Sequence, residues 1–203
     1  MNSNLLLYNA LAAVIVITVH EFVKALISSS LGDPLPKRDK RVTLNPLKHI
    51  EPIGFIIMVA MGFGWGKPVE TASIYYKDRR KGTLLTYTMP SVVNLLLGVI
   101  LYAAIFMIPK PVNSINLQIF LTQAALLNMR HAFFNIVPVY PLDGAKILSV
   151  LRDPNYVITM ANRQMFYQIA LVMFIVWGVV SMIIDPVVFS IFSFIGRLYL
   201  GAY

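Results

Sequence analysis

Long apolar stretches alternate with short polar segments along the whole chain. Each of the four longest has at least the ~20 residues that a helix needs to cross the hydrocarbon core of a bilayer. These are residues 4–31, 83–108, 115–137 and 165–184, and a shorter fifth stretch covers 186–200. The pattern predicts an all-α membrane protein, a multi-pass bundle of about four to five spans, and one domain covering residues 1–203.

The apolar segment 52–66 is too short and too rich in glycine to cross a bilayer comfortably. We interpret it as a re-entrant or interfacial piece, because irregular backbone at membrane depth needs cover from protein or water. Downstream of it, Val69–Tyr76 consists of residues that are typical of a strand.

Prolines and turn residues mark the boundaries in the second half of the chain. Residues 138–143 (PVYPLD) predict an extended break, followed by a cytoplasmic helix over about 144–152. The last two apolar stretches predict a helical hairpin over 165–200 that turns at Asp185-Pro186.

Composition supports a lipid-facing surface. Hydrophobic residues make up 58% of the chain and charged residues 13%, whereas soluble domains have about 45–50% and about 25%. The sequence contains no cysteine, which excludes disulfides, thiol catalysis and zinc–thiolate sites.

The net charge of +8 is distributed unevenly. Residues 32–82 contain ten Lys or Arg and 140–164 contain three more, whereas the connection 109–114 contains only Lys110. The positive-inside rule therefore predicts that the basic segments are cytoplasmic, with the N-terminus outside and the C-terminus inside. Because membrane topology accounts for these charges, nucleic acid is not expected as a partner.

Three ionisable residues near the end of the first apolar stretch are candidates for chemistry, since such groups are costly inside a membrane. His20 and Lys24 lie four residues apart and share a helix face, with Glu21 about 100° away. This is the geometry of H-E-x-x-H, in which two histidines hold zinc and the glutamate activates water. The alternative is an ion pair near the cytoplasmic end of the span, with Lys24 extending to the interface.

The predicted break supplies a further candidate, Asp143. Its carboxylate could be a third, oxygen ligand to a metal, or it could cap the helix that begins at Gly144. On the preceding helix, His131 lies one turn before Asn135 on the same face.

These residues stand among short motifs that resemble those of the site-2 protease family of intramembrane zinc metalloproteases. The resemblance covers about residues 15–152 and is closest to the compact bacterial branch without a PDZ domain. It rests on HEFVK at 20–24, LGD at 31–33, TLNP at 43–46, HIEPIG at 49–54, GFGWGKPV at 62–69 and PLDG at 141–144. It implies a bacterial cell membrane as the location.

The resemblance implies specific roles for individual residues. His20 and Asp143 match zinc ligands, Glu21 matches the catalytic base, and Asn135 and Pro138 match a substrate-binding segment beside the active site. The chain departs from the family at two places. Lys24 replaces the second zinc-binding histidine, a position that His131 could fill instead. The family's Gly-Pro-x-x-Asn survives only as MPSVVN at 89–94.

Two functions therefore remain open. The first is zinc-dependent hydrolysis of membrane-embedded protein or peptide substrates. The second is a catalytically inactive pseudoprotease that binds transmembrane segments or partner proteins. Freeing the lone pair of a lysine at pH 7 costs roughly 4–5 kcal/mol, which disfavours Lys24 as a ligand. With Glu21 and Asp143 set against Lys24 and Arg130, the intramembrane charges are expected to balance without a metal.

Overall fold

A computed structural model describes residues 3–109, 114–151 and 162–201. This part of the chain is helical and contains no β-strand, which confirms the predicted all-α fold class. Its α-helices are α1 (Ser3–Ser30), α2 (Leu35–Arg38), α3 (Pro52–Met61), α4 (Arg79–Met107), α5 (Ile115–Ile136), α6 (Asp143–Leu151), α7 (Gln164–Val176) and α8 (Val179–Leu200). The predicted helix over 144–152 corresponds to α6.

Helices α1, α4 and α5 pack against one another and form the centre of the molecule. Small and medium apolar side chains of α1 are fully buried against α5, including Ala12, Ala13 and Val16 on one side and Ala124 on the other. Small residues let helices approach closely where lipid offers no hydrophobic drive for association.

Three of the described helices are long and apolar enough to cross a membrane. They are Leu5–Ser30, Arg79–Met107 and Val179–Leu200. The prediction of about four to five spans also counted the stretches now seen as α5 and α7. Helix α5 has 22 residues but interrupts its apolar face with Asn128, Arg130 and His131, and α7 has only 13 residues.

The segment 52–66 begins with the ten-residue helix α3, which Glu51 caps by accepting hydrogen bonds from the amides of Ile53 and Gly54 at 3.2 and 2.6 Å. Ten helical residues extend about 15 Å, half of a hydrocarbon core. The chain then turns back, and Gly64 packs so closely on α3 that a β-carbon there would lie 2.1 Å from the Gly54 carbonyl oxygen. Its predicted re-entrant or interfacial position stays a prediction.

The strand expected over Val69–Tyr76 does not form. This segment is irregular and ends in a 3₁₀ turn at Ser73–Tyr75. Its backbone amides bond to side chains instead of a neighbouring strand, since Val69 donates to Glu21 and Ala72 donates to Asp33. Strand-forming residue types were therefore not sufficient in the absence of a pairing partner.

The last hairpin turns at Gly178, not at the predicted Asp185-Pro186. Gly178 adopts φ +75°, a left-handed conformation that stops α7 and starts α8. Pro186 lies inside α8, where membrane helices tolerate proline. Asp185 is held by a bidentate pair with Arg130 of α5, at 2.8 and 2.7 Å, so it serves helix packing and not a turn.

Candidate active site

Helix α1 directs its three ionisable residues into the protein interior. The exposed fractions of His20, Glu21 and Lys24 are 0%, 4% and 3%. The Lys24 ammonium donates to Glu21 Oε1 at 3.1 Å, while Glu21 Oε2 accepts from the Val69 amide at 3.2 Å. Both carboxylate oxygens of Glu21 therefore already have a donor.

The break after α5 delivers Asp143 to the same place. Helix α5 ends at Ile136, and Asp143 begins α6 with only 4% of its surface exposed. Its Oδ2 lies 2.9 Å from His20 Nε2, and its Oδ1 lies 2.7 Å from Lys24 Nζ. The structure thus brings together four residues that are up to 123 positions apart in sequence.

The Lys24 ammonium lies between the two carboxylates, in contact with both. The predicted charge balance also included Arg130, and this part of it is wrong. The Arg130 guanidinium pairs with Asp185 and stacks 5.2 Å from the ring of Phe63, away from the α1 cluster. The predicted charge count does not include Asp185, which the sequence places at a turn.

His131 lies beside His20, with the two rings edge to face and their centroids 4.7 Å apart. It is 3% exposed, and its Nδ1 has no hydrogen-bond partner among the described residues, as is also true of His20 Nδ1. Sequence reasoning named His131 as a substitute ligand. Within the described ranges, however, no group of three or more His, Asp or Glu side chains is arranged to hold a metal ion.

The residues at this site do not fit a zinc ion as they are arranged. His20 and Asp143 would supply two ligands, but the position of the third holds an ammonium that donates to Asp143 and Glu21. A protonated amine has no lone pair to offer, and a catalytic zinc normally has three protein ligands.

Asn135 and Pro138 lie at the end of α5 and in the break, outside the four-residue cluster. Asn135 is 5% exposed and donates its amide to the His131 carbonyl at 3.1 Å. Pro138 is exposed. Their substrate-binding role stays a prediction.

Asn94, from the altered family motif, has a packing role that sequence reasoning missed. It is fully buried and donates to the Val16 carbonyl and to Asn128 Oδ1, both at 3.2 Å. It thereby ties α4 to α1 and α5. The available signal was a pair of asparagines inside two predicted apolar helices.

A cleft of about 440 Å³ opens onto Lys24 and Asp143. One wall is the extended segment 68–71 and another is the break at 140–142. Above Lys24, the ring of Tyr87 lies 5.8 Å from its ammonium, and the Tyr87 hydroxyl shares a 2.7 Å hydrogen bond with Thr71. Sequence reasoning did not single out Tyr87 or Thr71.

A second cavity of about 470 Å³ lies beside this cleft. Pro68, Tyr140 and Pro141 line both cavities, and the second one reaches Gln168 and Met173 of α7.

An apolar helical bundle with a buried His-Glu-x-x-Lys helix and a converging aspartate defines a membrane-type protein with a modified metalloprotease motif. The chain is 30% identical over 179 residues to the protein named "Putative zinc metalloprotease YwhC" of Bacillus subtilis (strain 168), covering 85% of this chain and 82% of that relative. The chain therefore belongs to the same family as this zinc-metalloprotease-like relative. No family model matches the chain, and no solved structure matches it.

Proposed function

We propose that the protein is a non-hydrolytic member of the site-2 protease family, a pseudoprotease that binds a segment of a membrane-embedded protein in the cleft beside Lys24. The observation that carries this proposal is the position of the Lys24 ammonium, 2.7 Å from Asp143 and 3.1 Å from Glu21.

The chemistry of the cluster favours binding over hydrolysis. To act as a ligand, Lys24 would have to lose a proton at a cost of roughly 4–5 kcal/mol at pH 7, and it would also lose two ion pairs. Each oxygen of Glu21 accepts one hydrogen bond, from Lys24 and from the Val69 amide, so these two donors hold the carboxylate in place. Each oxygen keeps a second lone pair, so it is the missing third zinc ligand that disfavours hydrolysis.

The cleft offers surfaces suited to an extended peptide. Its apolar walls at Pro68, Val69 and Leu142 stand beside the polar groups of Thr71 and Asp143. Ligand sites commonly combine a mostly apolar lining with a few convergent polar groups. The second cavity is lined by the same Pro68, Tyr140 and Pro141 and extends along α7, so a segment bound in the cleft would lie next to it.

Metal content and proteolysis measured on the same preparations test the proposal. We expect the unaltered protein, purified in detergent and incubated with zinc, to retain well under one equivalent, and Lys24→His to retain close to one. Lys146→His is the matched control, because Lys146 borders the cleft without an ion pair to another described residue. Stoichiometric zinc in the unaltered protein, with cleavage abolished by Glu21→Gln, would show that the proposal is wrong.

The second candidate is zinc-dependent hydrolysis, which the name of the Bacillus subtilis relative favours. Reconstituted protein mixed with a set of single-span model substrates distinguishes the two candidates. Hydrolysis by the unaltered chain that Glu21→Gln removes would support the enzyme. Photo-crosslinking of an uncleaved substrate from position 70, at the cleft wall, would support the binding protein.

A further inference from the structure

A basic pocket lies in the connection between α1 and α3, away from the buried cluster. Three lysines line this pocket of about 440 Å³, namely Lys37, Lys40 and Lys48, and no acidic residue of the described ranges lines it. All three are exposed, and none forms an ion pair within the described part of the chain. The nearby Asp39 is neutralised by Arg38, at 2.9 Å. The pocket therefore has an uncompensated positive charge.

Two exposed leucines adjoin lining residues of this pocket in sequence, Leu44 between Thr43 and Asn45 and Leu47 before Lys48. Leu44 is 62% exposed and Leu47 is 82% exposed. Basic residues combined with exposed apolar ones are typical of segments that lie at a membrane interface.

The loop that presents these side chains is held in place by hydrogen bonds. Asn45 accepts from the Leu47 amide at 3.1 Å, and the Asn45 amide donates to Thr43 Oγ1 at 3.2 Å. The buried His49 ring pairs with the Thr43 carbonyl at 2.7 Å. The leucines are therefore held outward by local structure, and their exposure does not result from a loose chain.

The pocket also lies at the correct depth for a lipid. Helix α1 is long enough to span the membrane and ends at Ser30, only seven residues before Lys37. The loop consequently begins where the hydrocarbon core ends, at the level of the headgroups. Lysines at that level attract anionic lipids, and each contributes about a fivefold gain in affinity, corresponding to ~1 kcal/mol.

We propose that Lys37, Lys40 and Lys48 bind the headgroup phosphate of an anionic phospholipid while Leu44 and Leu47 insert among its acyl chains. The occupant is a membrane lipid and not a free anion, because a free phosphate would make no use of the leucines. The site is independent of the cleft and of any activity there.

Native mass spectrometry of the detergent-purified full chain, titrated with phosphatidylglycerol or phosphatidylcholine, tests this site. We expect the combined Lys37→Gln, Lys40→Gln and Lys48→Gln variant to lose about two orders of magnitude in phosphatidylglycerol affinity, at fivefold per lysine. Its binding of phosphatidylcholine should not change. The matched control substitutes Lys77, Arg80 and Lys81 by Gln, removing the same charge from another exposed cluster that includes Asp78.

Substitution of the leucines distinguishes a lipid headgroup from free inorganic phosphate as the ligand. Leu44→Gln with Leu47→Gln should weaken phosphatidylglycerol binding several-fold, and inorganic phosphate should not displace the lipid. Melting temperatures of all variants establish that they are folded. An equal loss of phosphatidylglycerol affinity in the two triple variants would show that the lipid responds only to the overall surface charge. This result would overturn the proposal. Competition by inorganic phosphate would overturn it in favour of a free anion. Leucine variants that bind phosphatidylglycerol normally would overturn it by showing that the leucines take no part in the site.

Discussion

Lys24, Glu21 and Asp143 depend on one another because all three are almost completely buried. An unpaired charge inside a protein is far more costly than a paired one, so the removal of one partner leaves the others uncompensated. The cluster is thus expected to matter for stability independently of any catalytic role.

Substitution of Lys24 by Met should lower the free energy of unfolding by about 3–5 kcal/mol, because two carboxylates would lose their cation. Denaturant or thermal unfolding in detergent measures the loss. A triple variant with Glu21→Gln and Asp143→Asn added should recover much of it. Lys48→Met, at an exposed lysine without an ion pair among the described residues, serves as the control and should stay within about 0.5 kcal/mol.

His49 should make the stability of the protein depend on pH. Burial lowers the pKa of its imidazole below the ordinary value of 6.5. The unfolded chain therefore takes up a proton at a higher pH than the folded chain does. The contribution of His49 is complete above about pH 6.5 and is lost as the pH falls towards the lowered pKa.

Melting curves between pH 5 and 8 check this expectation against His49→Gln. The variant should be less stable at pH 8, because it loses the bond to the Thr43 carbonyl. Its melting temperature should also fall less steeply below pH 6.5 than that of the unaltered chain. Parallel pH profiles for the two proteins would assign the acid sensitivity to other groups.

At the scale of single residues, the sequence predicted those side-chain arrangements that are set within one helix. The spacing of His20 and Lys24 on one helix follows from helical periodicity alone. The proline-rich break indicated that Asp143 lies beyond the end of α5, although not which atoms it would contact. The partners of Arg130, Asn94 and Tyr87 depend on how separate helices pack, which no single-sequence pattern encodes.

At the scale of helices, the turn between α7 and α8 lies at Gly178, although Asp185-Pro186 is the stronger turn signal in the sequence. Asp-Pro is a common turn initiator, whereas an isolated glycine in an apolar run is ambiguous. The carboxylate of Asp185 pairs with the Arg130 guanidinium on α5, and α8 continues through Asp185-Pro186. Gly178 then supplied the left-handed residue that the turn requires.

Substitution of Gly178 by Ala should destabilise the protein by about 1 kcal/mol, because a side chain disfavours its positive φ. Among the described residues, a β-carbon there would meet only Ser181 Oγ, at 3.6 Å, so the cost should come from the backbone conformation. Thermal unfolding measures it. Gly196→Ala is the matched control in the interior of α8, where a β-carbon meets no described atom within 4 Å and alanine should stabilise by up to about 1 kcal/mol. Stabilisation by both substitutions would contradict a turn at Gly178.

For the molecule as a whole, the charge distribution predicts one orientation in the membrane. The basic segments around Asp39 and Lys77 should share the cytoplasmic side, opposite the connection at Asn113, which lies outside the described residues. The natural absence of cysteine makes every introduced thiol a unique probe.

Labelling of intact cells with a membrane-impermeant maleimide tests the orientation. A cysteine at Asn113 should react, whereas cysteines at Asp39 and Lys77 should react only after the cells are opened. Labelling of Asp39 from outside, with Asn113 protected, would invert the topology. It would also place the basic pocket on the outer leaflet.

The pair between Arg130 and Asp185 also has a consequence for biosynthesis. The two residues are 55 positions apart, and at about 5–20 residues per second the ribosome needs roughly 3–11 s to reach the aspartate after making the arginine. During that interval α5 has a guanidinium whose structural partner has not yet been synthesised. Completion of the bundle therefore waits for the C-terminal hairpin, and a chain truncated before Asp185 should remain a substrate for quality-control proteases.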